Sequence, residues 1–261
     1  MAKVKIIFSA LFIAVSLIIY SCHKDKDNTV EPTSVKNGSI KLELESDMNG
    51  NKIILDSIYL NANQDTFKVS SLKYYISNIR LKDASGKYYN VPESYYLIDV
   101  SVSNDTSIII PNIPQGNYVQ AELSIGVDSV RNHSGAQTGA LDPTLASVMF
   151  WSWSAGYKFL LMEGTYKTAN SNGYKPLVFH VAEDGNVKSF AFNAASPNWT
   201  DINIREGKDT KVKVSLNFEE MFKTPTLINF DLMNNVGGGS GCTVLANNYA
   251  DMIQLTQIVN E

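Results

Sequence analysis

The chain has 261 residues, of which 44% are hydrophobic, 18% charged and 10% aromatic, and its formal net charge is −4. That globular, mildly acidic composition excludes a disordered tail, a collagen and a coiled coil, and argues against a nucleic-acid binder. Two cysteines exclude a disulfide scaffold and a thiolate zinc finger, while three histidines leave room for a single mononuclear metal site.

Residues 1–21 read as a lipoprotein signal peptide. Lys3 and Lys5 form a positive n-region, and the fifteen residues from Ile6 to Tyr20 form an apolar run broken only by Ser9 and Ser16. Such a run suits a signal h-region and is short for a membrane span. It ends Ile19-Tyr20-Ser21-Cys22, an aliphatic residue and a small residue ahead of a cysteine. This pattern makes Cys22 the first mature residue and the lipidation site. Two or three acyl chains anchor stably, because each buried CH₂ contributes about 0.8 kcal/mol. An uncleaved N-terminal anchor is the other reading. Both place the domain outside the cytoplasm on a membrane tether, at the outer membrane or cell surface. Residues 22–38 are polar and aperiodic, as in a flexible tether.

Residues 39–261 read as one domain. Ile40, Leu42 and Leu44 alternate with Lys41, Glu43 and Glu45; Val119 to Val127 and Val212 to Phe218 do the same. Period-two alternation means one buried and one wet face, as in antiparallel sheets. Further strand-like runs cover 53–60, 73–81, 95–100, 148–153, 157–163, 177–181 and 187–192. Turn residues at 83–86, 111–117 and 183–186 separate them. The expected fold is all-β: a single antiparallel β-sandwich with long loops and a short C-terminal helix. The helix is placed at 245–258, where apolar residues recur near a 3.6 period, after a glycine-rich hinge at 237–241. Cys242 falls beside that hinge and reads as a free thiol in a mobile segment, with a soft metal ligand as the lesser alternative.

No G-x-S-x-G elbow, H-E-x-x-H helix or Walker loop is present, so the chain is not read as an enzyme. The unusual stretch is 126–164, a long polar loop that ends Met149-Phe150-Trp151-Ser152-Trp153 and Gly156-Tyr157. Long loops inside compact β-domains often carry function. On a strand Trp151 and Trp153 would share a face, and core packing explains them as readily as a site does. His180 closes the apolar strand 177–181 and is the best ligand candidate, since imidazole suits copper, zinc and iron. A hydrogen-bonded structural histidine is the plainer reading. His133 lies in a polar loop and reads as solvated.

With these residues in view, the chain resembles the MbnP-type copper-binding proteins, a family named for a methanobactin-associated periplasmic protein. The resemblance rests on Lys73–Ile79, Pro92–Asp99, Ile125–Asp128, Thr138–Pro143, Met149–Trp153, Gly156-Tyr157, Glu163-Gly164, Phe179-His180 and Asn248–Met252. It implies a copper-binding β-sandwich in which the metal sits on histidine imidazole beside an oxidised tryptophan, made by a partner dihaem peroxidase-like enzyme. His180 matches the family histidine, and Trp151 or Trp153 the tryptophan. The chain departs from the family at Ser46, where many members carry a histidine, and at Ala182, where a glycine is usual. Met48, Met149, Asp47 and His133 are the candidates to complete the site. The leading expectation is therefore an extracytoplasmic copper-binding lipoprotein. The alternative is a structural or ligand-binding surface lipoprotein that has lost the metal site.

Overall fold

The computed structural model describes residues 36–103, 105–152 and 154–261. The signal-peptide expectation, the lipidation of Cys22 and the tether to residue 35 lie outside the described residues, as does Trp153. Among the described residues no helix is long and apolar enough to cross a membrane.

The chain opens with β1 (Asn37–Met48), the two-residue strands β2 (Asn51–Lys52) and β3 (Tyr59–Leu60), and the long β4 (Thr66–Asp83). There follow β5 (Tyr88–Asn90), β6 (Tyr95–Asp99), β7 (Asp105–Pro114) and β8 (Gly116–Ile125). The 126–159 loop contains α1 (Ser129–Asn132) and the small hairpin β9 (Phe150–Ser152) and β10 (Gly156–Tyr157). Then come β11 (Leu160–Lys167), β12 (Lys175–Val181), β13 (Lys188–Asn193), β14 (Ile202–Ile204) and β15 (Asp209–Asn217). β16 (Asn235–Val236), α2 (Ser240–Asn248) and β17 (Ile253–Val259) complete the chain.

Two sheets face each other. In the first, β1 lies between β7 and β15, and β17 pairs with β15 at the edge. In the second, the spine is β13-β8-β4-β11-β12-β16, with β4 also paired to β3, β5 and β6. Alternate residues of each sheet fill the space between: Ile40, Leu42 and Leu44 on one side, Leu72, Tyr74, Ile76 and Phe179 on the other. This all-β sandwich with a small helix is the expected architecture. It is not wholly antiparallel, because β1 runs parallel to β15 and β12 to β16. β1 and β15 are far apart in sequence, and the chain between them builds the second sheet, which is the long crossover a parallel pair needs.

Three local expectations are corrected. Residues 53–58 form no strand: Ile54 and Ile58 are exposed, Asp56 takes a positive φ of 61°, and the Tyr59 hydroxyl bridges both backbone groups of Ile54. The closing helix is Ser240–Asn248, not 245–258, and Ile253–Val259 is instead a strand. There Ile253, Leu255 and Ile258 bury against the first core while the strand satisfies its backbone along β15. That ladder outweighs a helical spacing of apolar residues in a segment rich in β-branched side chains. Cys242 is likewise not in a mobile segment; it is fully buried in α2, and its thiol donates to the His180 carbonyl oxygen (3.3 Å). Burial raises its pKa.

The β11–β4 ladder has a bulge at Glu163/Gly164, where the two backbones come so close that a Cβ on Gly164 would overlap the Lys68 carbonyl. Gly164→Ala is expected to cost about 1–3 kcal/mol, read from the urea midpoint at constant m-value; a cost below about 0.5 kcal/mol would mean that the bulge relaxes freely.

Candidate functional site

The second sheet buries an apolar patch on its outer face too. Outward from it point Tyr75 and Leu161, which join Val127, Leu141, Met149, Tyr157 and Phe159 in a second core. The 126–159 loop folds over the sheet to build that core, and the β9–β10 hairpin carries Trp151 to its edge.

On β12, Leu177, Phe179 and Val181 turn inward, so Val178 and His180 turn outward. His180 stands opposite Leu161 of β11, and Glu163 stands opposite Val178. His180 and Glu163 are therefore diagonal neighbours on one face, within reach of long side chains. The His180 Nε2 lies 2.7 Å from Glu163 Oε1. Burial lowers the His180 pKa and the Lys158 ammonium lowers it further, against the opposing pull of the Glu163 carboxylate. The ring is thus neutral at pH 7. A neutral ring donating from Nε2 to a carboxylate presents Nδ1 as its lone pair, the arrangement in which metal-ligating histidines are usually held.

Trp151 meets this ring edge to face, with centroids 5.9 Å apart and planes at 65°. The indole is 38% exposed, so it belongs to neither core. The nearly buried Lys158 places its ammonium 5.3 Å from the indole centre and donates to the Val148 carbonyl (2.7 Å). Burial lowers the Lys158 pKa, with Glu163 pulling the other way.

The hairpin that holds Trp151 is pinned from below by Asn132. Its Oδ1 accepts from the Tyr157 backbone N–H and its Nδ2 donates to Asp184 Oδ1, both at 2.8 Å. Gly156 sits against this amide at φ +74°, where a Cβ would collide with the Asn132 side chain. The Tyr157 hydroxyl donates to the Leu141 carbonyl, tying the hairpin to the loop.

His133 follows α1 and is exposed. Its Nε2 lies 3.1 Å from both Asp184 carboxylate oxygens. Burial pushes Asp184 up, and hydrogen bonds from Asn132, Ser129 and His133 outweigh it and hold the carboxyl below its usual range. With Trp151, Glu183 and Gly237, this pair lines a cavity of about 570 Å³. The structure thus brings His180 and Trp151 into contact and places His133 in the cavity beside the same indole, on its own carboxylate.

The remaining ligand candidates are not brought to His180. Met48 is buried in the main core and Met149 in the second. Asp47 accepts from the Gly50 backbone and the Ser215 hydroxyl. Ser46, at the expected family histidine, faces inward on β1 and shares a hydrogen bond with the Tyr74 hydroxyl (2.9 Å). His180 faces outward on the other sheet, so the two positions do not form one site. Glu163, Lys158, Asn132 and Asp184 are functional neighbours that sequence reasoning missed. Only Glu163 had a signal, in the hairpin register of 160–167 against 175–181. As a copper site, the cluster offers a neutral, carboxylate-oriented imidazole beside an indole. Among the described residues no group of three or more His, Cys, Asp or Glu converges to hold a metal ion. The donor set of one imidazole beside one carboxylate does not fit a metal cage of unmodified His, Cys, Asp and Glu side chains.

Fold and site together define a β-sandwich protein with an imidazole–indole centre on one outer face. The protein-family model described as MbnP matches residues 37–243, and the chain belongs to the MbnP family. Among solved structures, MbnP from Methylosinus trichosporium aligns with 79% of this chain and 82% of its own at 18% identity, with a TM-score of 0.49. No curated protein matches.

Two outcomes are expected. Asn132→Ala leaves the buried Tyr157 N–H without its acceptor and is expected to cost about 1–3 kcal/mol and to red-shift tryptophan emission; unchanged stability and emission would remove Asn132 from its pinning role. The second concerns pH. The folded His180 pKa lies below its ordinary value of 6.5, so its contribution to stability is full above that value and is lost as pH falls towards the lowered one. The drop in melting temperature on acidification through this window should be smaller in His180→Gln than in the native chain, and equal drops would contradict a buried neutral ring.

Proposed function

We propose that the chain is an extracytoplasmic, lipid-anchored copper-binding protein without catalytic turnover, with His180 as the imidazole ligand and Trp151 as the tryptophan beside the metal. The observation that carries this reading is the contact between a neutral, Glu163-oriented His180 and a half-exposed Trp151. Imidazole is a ligand type that copper accepts in either common oxidation state. In this reading Glu163 fixes the tautomer and ring angle of His180, and Lys158 holds the indole in place over the strand. Trp151, at the rim of an open cavity, is accessible to an oxidising partner of the dihaem peroxidase type, which would turn the indole into a second donor. Membership of the MbnP family supports an association with methanobactin-linked copper handling.

A second reading, a ligand-binding surface lipoprotein that has lost the metal, is favoured by one observation. The Lys158 ammonium lies close to the indole and to Glu163, where it repels an incoming cation.

The two are separated by copper titration of the purified chain, before and after co-expression with a dihaem peroxidase-like protein. Stoichiometric copper that disappears in His180→Ala and weakens about 10–100-fold in Glu163→Gln is the expected result, with a mass gain on the peptide carrying Trp151 and Trp153. Neither copper nor a mass gain in either sample would overturn the copper reading in favour of the ligand-binding one.

A further inference from the structure

Three segments that carry the family resemblance play little part in the His180 centre, and they meet elsewhere. Lys73–Ile79 on β4, Pro92–Asp99 at β6 and Ile125–Asp128 after β8 converge on a cavity of about 500 Å³ on the second sheet, lined among others by Asn78, Arg80, Asn90, Glu93, Tyr95 and Arg131. That volume falls in the range of small-molecule sites.

The cavity is built at a break in the sheet. The β4–β8 ladder shifts register between Ser77 and Arg80, and Asn78 takes a φ of +52°. Across from it Glu93 takes a φ of +49°. Left-handed backbone at a residue other than glycine is uncommon and costs energy; such residues cluster, with bulges, at binding sites. Ser94, itself buried, holds the break open: its carbonyl accepts from the Asn78 N–H (3.1 Å) and its hydroxyl from the Ile79 N–H (3.0 Å).

The electrostatics narrow the ligand. Arg80 is bound to Glu122 through Nε (2.7 Å) and Nη2 (2.6 Å), and the other Glu122 oxygen accepts from Tyr88 and Gln120. Arg131 is bound to Glu93. Both guanidinium groups are paired with carboxylates within the cavity, so an anionic ligand would have to break an ion pair to enter, while the third carboxylate, Asp128, is held by the Tyr95 hydroxyl and the Arg131 backbone N–H and offers an acceptor. Hydrogen-bonding capacity remains. Each guanidinium has more N–H groups than its carboxylate uses, and the Tyr95 hydroxyl stands between the Asp128 carboxylate and the Asn78 amide oxygen. Val187 adds an aliphatic contact above the buried Ile79 and Val91. Paired guanidinium groups with spare N–H donors, beside a carboxylate and a tyrosine hydroxyl as acceptors, match a ligand whose polar groups are hydroxyls that both donate and accept.

We propose that this cavity is a saccharide-binding site that takes a neutral mono- or disaccharide, separate from the His180 centre. It requires no copper and goes beyond the proposed function. The test is saturation-transfer NMR and calorimetry on the full chain with maltose, cellobiose and N,N′-diacetylchitobiose, with inorganic phosphate and glycine as charged probes. At least one disaccharide is expected to bind with a dissociation constant below about 10 mM, and Asn90→Ala, a surface change, and Arg131→Met, at a half-buried position, should each weaken it about tenfold while the melting temperature of Asn90→Ala stays unchanged. Silence from all three sugars at about 10 mM would overturn the proposal. So would binding of phosphate or glycine while the sugars stay silent, or sugar binding that ignores both substitutions.

Discussion

The structure depends on one constraint: the second sheet carries an apolar patch on its outer face as well as a buried inner face. A sandwich needs each sheet to bury only its inner face, and the first sheet does so. In the second, Tyr75 and Leu161 point outward as large apolar groups, and water would have to cover them unless the chain did. The 126–159 loop is the cover. Its length follows from the area it spans, and its Leu141, Met149, Tyr157 and Phe159 are the underside of a lid and not ligands in waiting. The place of Trp151 and Lys158 in the His180 centre follows from that lid, while Glu163 is set by the β11–β12 register. The hairpin β9–β10 lies at its edge, Trp151 is the residue that overhangs, and His180 is half-buried because the lid stops beside it.

That partial burial decides the chemistry of the ring. In water a histidine next to a carboxylate would gain basicity. Here desolvation and the Lys158 ammonium outweigh Glu163, and the ring stays neutral. Glu163 then acts as a director and not as a counter-ion. The exposed His133, paired to Asp184 in the neighbouring cavity, shows the same pairing of imidazole and carboxylate without the overhanging lid.

Much of the fold was legible because alternation is a local signal. Ile40–Glu45 and Val212–Phe218 declared their buried faces residue by residue, and the turn at 83–86 stands where β4 meets β5. The errors arose where a local pattern competes with a distant partner. Ile253–Val259 carries a helical spacing, yet β15 offers it a ladder that no window of sequence displays. The parallel pairing of β1 with β15 is invisible for the same reason. In the site, His180 and the Trp151 region were legible through the family resemblance, while their contact was not, because it crosses from a strand to a lid. Glu163 needed the register of a hairpin. Asn132 had no signal at all, since a buried amide in a four-residue helix looks like loop.

That short helix has a larger role than its length suggests. Asp128 and Arg131 of this turn wall the cavity at the bulge of β4, and Asn132 and His133, one step further on, wall the cavity beside Trp151. A single turn of backbone is thus the partition between two chambers. Asn132 also clamps the Trp151 hairpin, so the wall of one chamber is tied directly to the rim of the other.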